Sequence, residues 1–130
     1  MNVEPNNNLN LLGYNDFFSD MISLYNKNLL PNKIIFSGNY GIGKCTLAYH
    51  LINYIFSLNE ESKYNFSENI ILPENKSYNL IINNTHPNFF LISADEDKKN
   101  IQVSKIREMI NFTNKSSFNN DSKIILINNI

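Results

Sequence analysis

The sequence predicts a single α/β domain built on a parallel sheet flanked by helices. Three observations carry that prediction. Apolar runs at Ile34–Phe36, Phe89–Ile92 and Ile124–Ile127 lack the in-and-out alternation of a half-solvated strand, which marks strands covered on both faces. Stretches with helical spacing separate the runs, and parallel strands need such crossovers. The first run also feeds a glycine-rich turn that opens a helix, in the order IIFSGNYGIGKCT. With 130 residues, the chain is long enough for one domain with a real core.

Residues 1–10 read as a polar, flexible N-terminal arm, and residues 11–130 as the domain. Leu11-Leu12-Gly13-Tyr14 is a short apolar entry with a turn glycine. Asn15 or Asp16 can cap a helix at this point. Phe17, Phe18, Met21, Ile22, Leu24 and Tyr25 recur at three-to-four spacing, which predicts an amphipathic helix over 16–27 with the aromatic pair in the core. Leu29-Leu30-Pro31-Asn32 ends it and leads into the strand Ile34–Phe36. After Lys44, the residues Leu47, Ala48, Leu51, Ile52, Ile55 and Leu58 form a broad apolar face on a long helix. His50 and Tyr54 flank that face, and a partly exposed histidine is expected there. Residues 59–84 show no clear period and are rich in Asn, with Pro73 and short apolar patches. They read as a surface insertion with one short helix or strand. Pro87 precedes the second strand, Phe89–Ile92. Asp95-Glu96-Asp97 reads as a solvated turn rather than a metal site, because Lys98 and Lys99 follow at once. Val103, Ile106 and Ile110 stripe a third helix over 103–113, and a polar loop over 114–122 leads to the third strand.

Gly38, Gly43 and Lys44 satisfy most of G-x-x-x-x-G-K-[ST], with Gly41 as an additional glycine. That pattern is a phosphate-binding loop: backbone N–H groups curl round an anion at a helix N-terminus and the lysine reaches its phosphates. The last position should carry a hydroxyl for Mg²⁺, but Cys45 stands there. Thr46 is one residue late, about 100° round the helix, and does not simply replace it. The strand Ile124–Ile127 has the form of the acidic second motif of such sites, yet it ends in Asn128-Asn129. An amide is a weak metal ligand and no general base. Cysteine is too soft for Mg²⁺. Both changes remove ligands of the same metal, so the site Gly38, Gly41, Gly43, Lys44, Cys45, Thr46 and Asn128 is expected to bind ATP weakly at most and not to hydrolyse it.

Composition excludes several functions. Net charge is −1, which argues against a chain-wide polyanion-binding surface. Asn makes up about a fifth of the chain, whereas Ala occurs only at 48 and 94 and Arg only at 107. Codon bias of an AT-rich genome accounts for this, with the Asn spread over surfaces. The lone Cys45 allows no internal disulfide, and with His50 and His86 it falls short of a zinc set. There is no secretory signal and no apolar run long enough for a membrane span, so a cytoplasmic protein is expected.

Leu11-Leu12-Gly13, Leu30-Pro31, FSGNYGIGK with Thr46-Leu47-Ala48, His86-Pro87-Asn88, Ile106-Arg107-Glu108 and KIILINN occur in an order and spacing that resembles the delta-prime subunits of the bacterial DNA polymerase III clamp loader. The resemblance implies an AAA+ P-loop NTPase module that is incomplete at its C-terminus. Two further strands, a helical lid, a collar domain and a Ser-Arg-Cys arginine-finger motif would follow Ile130. It also implies a stator-like subunit that does not hydrolyse ATP. Its partners would be the gamma/tau and delta subunits and, through the complex, the sliding clamp and primed DNA. The four-cysteine zinc module of many relatives has no counterpart in residues 59–84. Arg107 is no arginine finger and is read as a salt-bridge residue. Lys98, Lys99 and Lys105 lie in the segment that approaches DNA in clamp loaders, although ordinary solvated lysines are the simpler reading. Rival functions are an active clamp-loader motor ATPase, which would need Ser or Thr at 45 and Asp-Glu at 128–129, and a P-loop kinase, which would need arginines this chain lacks.

Overall fold

The computed structural model describes residues 3–93, 101–118 and 121–128. Its elements run α1 (Asn15–Asn26), α2 (Lys44–Phe56), α3 (Lys76–Ile82), β1 (Phe89–Ser93), α4 (Val103–Asn114) and β2 (Ile124–Asn128). The chain divides into two compact units, Met1–Asn83 and Asn84–Ile130.

The first unit is helical. Phe18, Met21 and Ile22 of α1 meet Leu47 and Leu51 of α2, and Leu11, Tyr64 and Ile71 complete the core. The periodicity of both helices therefore points inward as read. Phe17 does not: it is half exposed and meets Phe36 edge-on at 6.3 Å. The end of α1 is set by Asn28, which takes a left-handed φ of 58°. Its N–H bonds the carbonyl of Tyr25, while Leu29 N–H bonds that of Leu24. This is the Schellman arrangement, with Asn in the place glycine usually fills.

Two features of the packing on α2 go beyond the sequence. Backbone bonds hold the segment around Leu9–Leu11, where the arm read over residues 1–10 ends. Leu9 accepts a bond from Ile71 N–H, Leu11 N–H donates to Asn69, and Asn10 bridges Ile70. Residues 59–84 carry the one short helix read there, α3, but are more than a surface insertion. They deliver Tyr64 and Ile71 to the core and form α3. With α1 and α3 both against it, α2 buries Tyr49, His50 and Asn53 as well as its apolar face. Asn53 and Asn75 pair by their amides at 2.9 Å. Asn75 also donates to the Ser62 carbonyl at 3.0 Å and accepts from Tyr78 N–H as the N-cap of α3. Glu60 accepts from the N–H groups of Lys76 and Ser77 in the same first turn, where a carboxylate complements the helix dipole.

The second unit is a β1–α4–β2 crossover. Its strands are parallel, with Phe89 opposite Ile124 and Ser93 opposite Asn128. Phe112 of α4 meets Phe90 of β1 at 5.4 Å. Lys123 lies over the Phe112 ring at 4.7 Å and donates to the carbonyls of Phe112 and Lys115. Asn88 is buried and exchanges two bonds with the backbone of Phe118, and its carbonyl accepts from Ile124 N–H. One residue thereby aligns the start of both strands.

The sheet is smaller than predicted. Among the described residues it has two strands, and Ile34–Phe36 is not one of them. Ile35 is 85% exposed. An apolar run becomes a strand only when a neighbour takes up its backbone groups, and this run has no ladder partner among the described residues. Nor is the sheet covered on both faces, since Leu91 and Ile127 are each 41% exposed. The α4 stripe is open too, with Val103 67% exposed.

Candidate phosphate-binding loop

The loop sits at the amino end of α2 and is shaped by two glycines in the left-handed region, Gly41 with φ 84° and Gly43 with φ 90°. A side chain at either would be strained by its own backbone. Gly43 is the N-cap of α2, and its carbonyl takes the first helical bond, from Leu47 N–H at 3.0 Å. Its N-cap glycine offers no capping side chain and no acid stands in its first turn. Among the described residues, its first N–H groups and the positive end of its dipole are thus left to a ligand or to water.

Lys44 folds back over the loop. Its ammonium donates to the Gly38 carbonyl at 2.6 Å. The first glycine and the lysine of the motif are therefore brought together. Gly38 faces the Ile42 side chain closely: a Cβ at position 38 would come within 2.5 Å of Ile42 Cδ1. Cys45 and Thr46 are half-buried in the first turn of α2. Burial pushes the Cys45 thiol up, so it stays protonated and neutral. Tyr49, one turn on, is pushed up to about 12 by burial first and by Cys45 second. Neither group is an anion at neutral pH, and neither supplies a hard oxygen ligand to Mg²⁺ in the ionised form.

Asn128 ends β2 opposite Ser93, half-buried. It belongs to the second unit, and Asn129, Asp95-Glu96-Asp97, Lys98 and Lys99 lie outside the described residues. Lys105 is not the solvated lysine the sequence suggests: its ammonium donates to the Ser93 carbonyl at 2.7 Å, at the end of β1. Arg107 is exposed on α4. Among the described residues no group of three His, Cys, Asp or Glu side chains is placed to hold a metal ion. Among them also no helix is long and apolar enough to cross a membrane.

Three features are not signalled by the sequence. Tyr14 donates its hydroxyl to the Ile42 carbonyl inside the loop, a contact across 28 positions that no local pattern announces. Gly13 to Phe17 also line a shallow, open hollow. His50 is fully buried rather than partly exposed. Its Nε2 faces the Asn8 carbonyl at 2.8 Å and its Nδ1 the Tyr64 hydroxyl at 2.7 Å. A carbonyl can only accept, so Nε2 carries the proton and Nδ1 accepts from Tyr64. Burial lowers the His50 pKa, partly offset by the Asn8 bond, and burial raises that of Tyr64. The Asn53–Asn75 pair could have been suspected from an Asn placed just before an apolar run, but with so many asparagines that signal is diluted.

Residues 13–130 match the model of one protein family, described as DNA polymerase III, delta subunit. No curated protein matches the chain.

Proposed function

Because the chain belongs to the DNA polymerase III delta subunit family, we propose that it serves in that polymerase's clamp loader as a delta-prime-like subunit that does not hydrolyse ATP. The observation that carries this reading is the selective loss within the motif. Gly38, Gly43 and Lys44 are retained, and Lys44 folds back onto the loop to donate to the Gly38 carbonyl. The two positions that serve Mg²⁺ in hydrolysing members of the fold hold Cys45 and Asn128. Phosphoryl transfer needs the metal to neutralise charge on the β- and γ-oxygens. A loop that keeps the lysine and lacks the metal's ligands can hold a nucleotide weakly and leave it intact.

On this reading the chain acts by position. It joins gamma/tau and delta subunits in the cytoplasm and reaches the sliding clamp and primed DNA through them. It requires no cofactor and carries no zinc. The test is ATP turnover by the purified chain, alone and with partner subunits. The expected result is no turnover by the chain alone and none attributable to it in the mixture, so that Lys44→Ala changes neither. Mg²⁺-dependent phosphate release by the unmodified chain, abolished by Lys44→Ala, would overturn the proposal. That outcome would favour a motor subunit.

A further inference from the structure

We propose that Tyr14 is a positioning residue of the phosphate loop, holding the Ile42–Gly43 peptide in the one orientation that turns the Gly43 N–H toward an anion. The proposal rests on reading the loop as an anion cradle. Its physical basis is the planarity of the peptide unit. In a trans peptide the carbonyl and the following N–H point in opposite directions. Whatever holds the Ile42 carbonyl therefore also aims the Gly43 N–H. Glycine at 43 makes a flip of that peptide cheap, because it tolerates both signs of φ. A loop free to flip would present its N–H to an anion only part of the time.

Tyr14 removes that freedom in two ways. Its hydroxyl donates to the Ile42 carbonyl. Its ring lies against Gly43, where an added Cβ would stand 3.4 Å from Tyr14 Cε2. The residue is itself well anchored. It is the N-cap of α1, its carbonyl accepts from Phe18 N–H at 2.8 Å, and its side chain packs on the core that includes Phe18 and Leu47. The left-handed Gly13, with φ 84°, turns the chain into that position. The first turn of one helix thus reaches across to fix the last peptide before the next. The cradle is set before any ligand arrives, so less ordering is left for binding to accomplish.

The test is Tyr14→Phe, which keeps the ring and deletes the hydroxyl. Backbone 15N order parameters are measured by NMR in the full chain without nucleotide, and ATP affinity is then measured by titration. The expected result is a lower order parameter at Gly43, whose peptide becomes free to reorient, with Leu51 and Ile52 in α2 unchanged. ATP affinity should fall about fivefold, the effect of one net hydrogen bond. An unchanged order parameter at Gly43 overturns the proposal. So does a loss of order spread evenly over α1 and α2, because the hydroxyl would then serve the core and not the loop. Should the unmodified chain bind no ATP at all, the nucleotide reading fails while the order parameter still decides the role of Tyr14.

Discussion

His50 is held on α2 with both ring nitrogens bonded in the neutral form, and this ties stability to pH. Its folded pKa lies below the ordinary value of 6.5 because burial disfavours the imidazolium. The unfolded chain therefore takes up the proton first as pH falls. The contribution of this group is whole above about 6.5 and is lost as pH drops from there through the folded pKa. Urea midpoints at pH 7.5 and 5.5 should show a drop for the unmodified chain and a smaller one for His50→Gln. Equal drops would show that other groups cause it. Asn75 is the second residue whose loss should be felt. Asn75→Ala removes the α3 N-cap and leaves the buried Asn53 amide without its partner. Capping losses cost about 1 kcal/mol and an unsatisfied buried amide about 1–3 more, so a loss of about 2–4 kcal/mol in denaturant unfolding is expected. By contrast, Asn79→Ala on exposed α3 surface should cost well under half of that. These roles were not legible residue by residue. A histidine beside an apolar face and an asparagine among many carry no local mark of burial; both are buried by segments 13 to 42 positions away.

Elements were legible where periodicity was strong, even though α1 starts at Tyr14, with no side-chain cap, rather than at the Asn15 or Asp16 cap the sequence offers. The helix read over 16–27 is found at Asn15–Asn26, the one over 103–113 at Val103–Asn114, and the strands Phe89–Ile92 and Ile124–Ile127 lie in parallel as read. Periodicity could not tell whether anything covers the apolar side. In α2 something does, on two sides. In α4 the stripe points outward at Val103 and Ile110, and among its described residues none is fully buried. Energetics should reflect this. Leu47→Ala and Ile52→Ala empty packed space and should each cost about 2–5 kcal/mol. Val103→Ser should stay within about 0.5 kcal/mol, as exposed substitutions do. Denaturant midpoints of the purified chain distinguish the two groups, and a large cost at Val103 would mean that the helix is covered in solution. The same distinction explains Ile34–Phe36. Its composition suits a strand, but β-propensity describes a fit to a pleated neighbour, and among the described residues no ladder forms there.

At the scale of the molecule, the family was legible because it lies in an ordered series of short motifs spread from Leu11 to Asn128, and the family match spans residues 13–130. The fine assignment to delta-prime rests on the motif positions alone, and ligand-linked stability offers a direct way to test what those positions imply. A ligand that binds only the folded chain stabilises it by RT ln(1 + [L]/Kd). A weak site should show this only when ATP is well above its Kd, where tenfold excess gives about 1.4 kcal/mol. In a working P-loop the metal bridges the β- and γ-phosphates and is held by protein ligands, so Mg²⁺ strengthens the effect. On the proposed reading, Cys45 and Asn128 stand at the motif positions that would serve the metal, and the protein then adds nothing to its hold. Thermal melting with millimolar ATP should therefore show a small rise that is the same in Mg²⁺ and in EDTA, and Lys44→Ala should abolish it, since its ammonium is the cation on the loop. Cys45→Thr combined with Asn128→Asp should make the rise larger in Mg²⁺ than in EDTA. A rise that already depends on Mg²⁺ in the unmodified chain would mean that other residues hold the metal, and the non-hydrolysing assignment would lose its chemical basis.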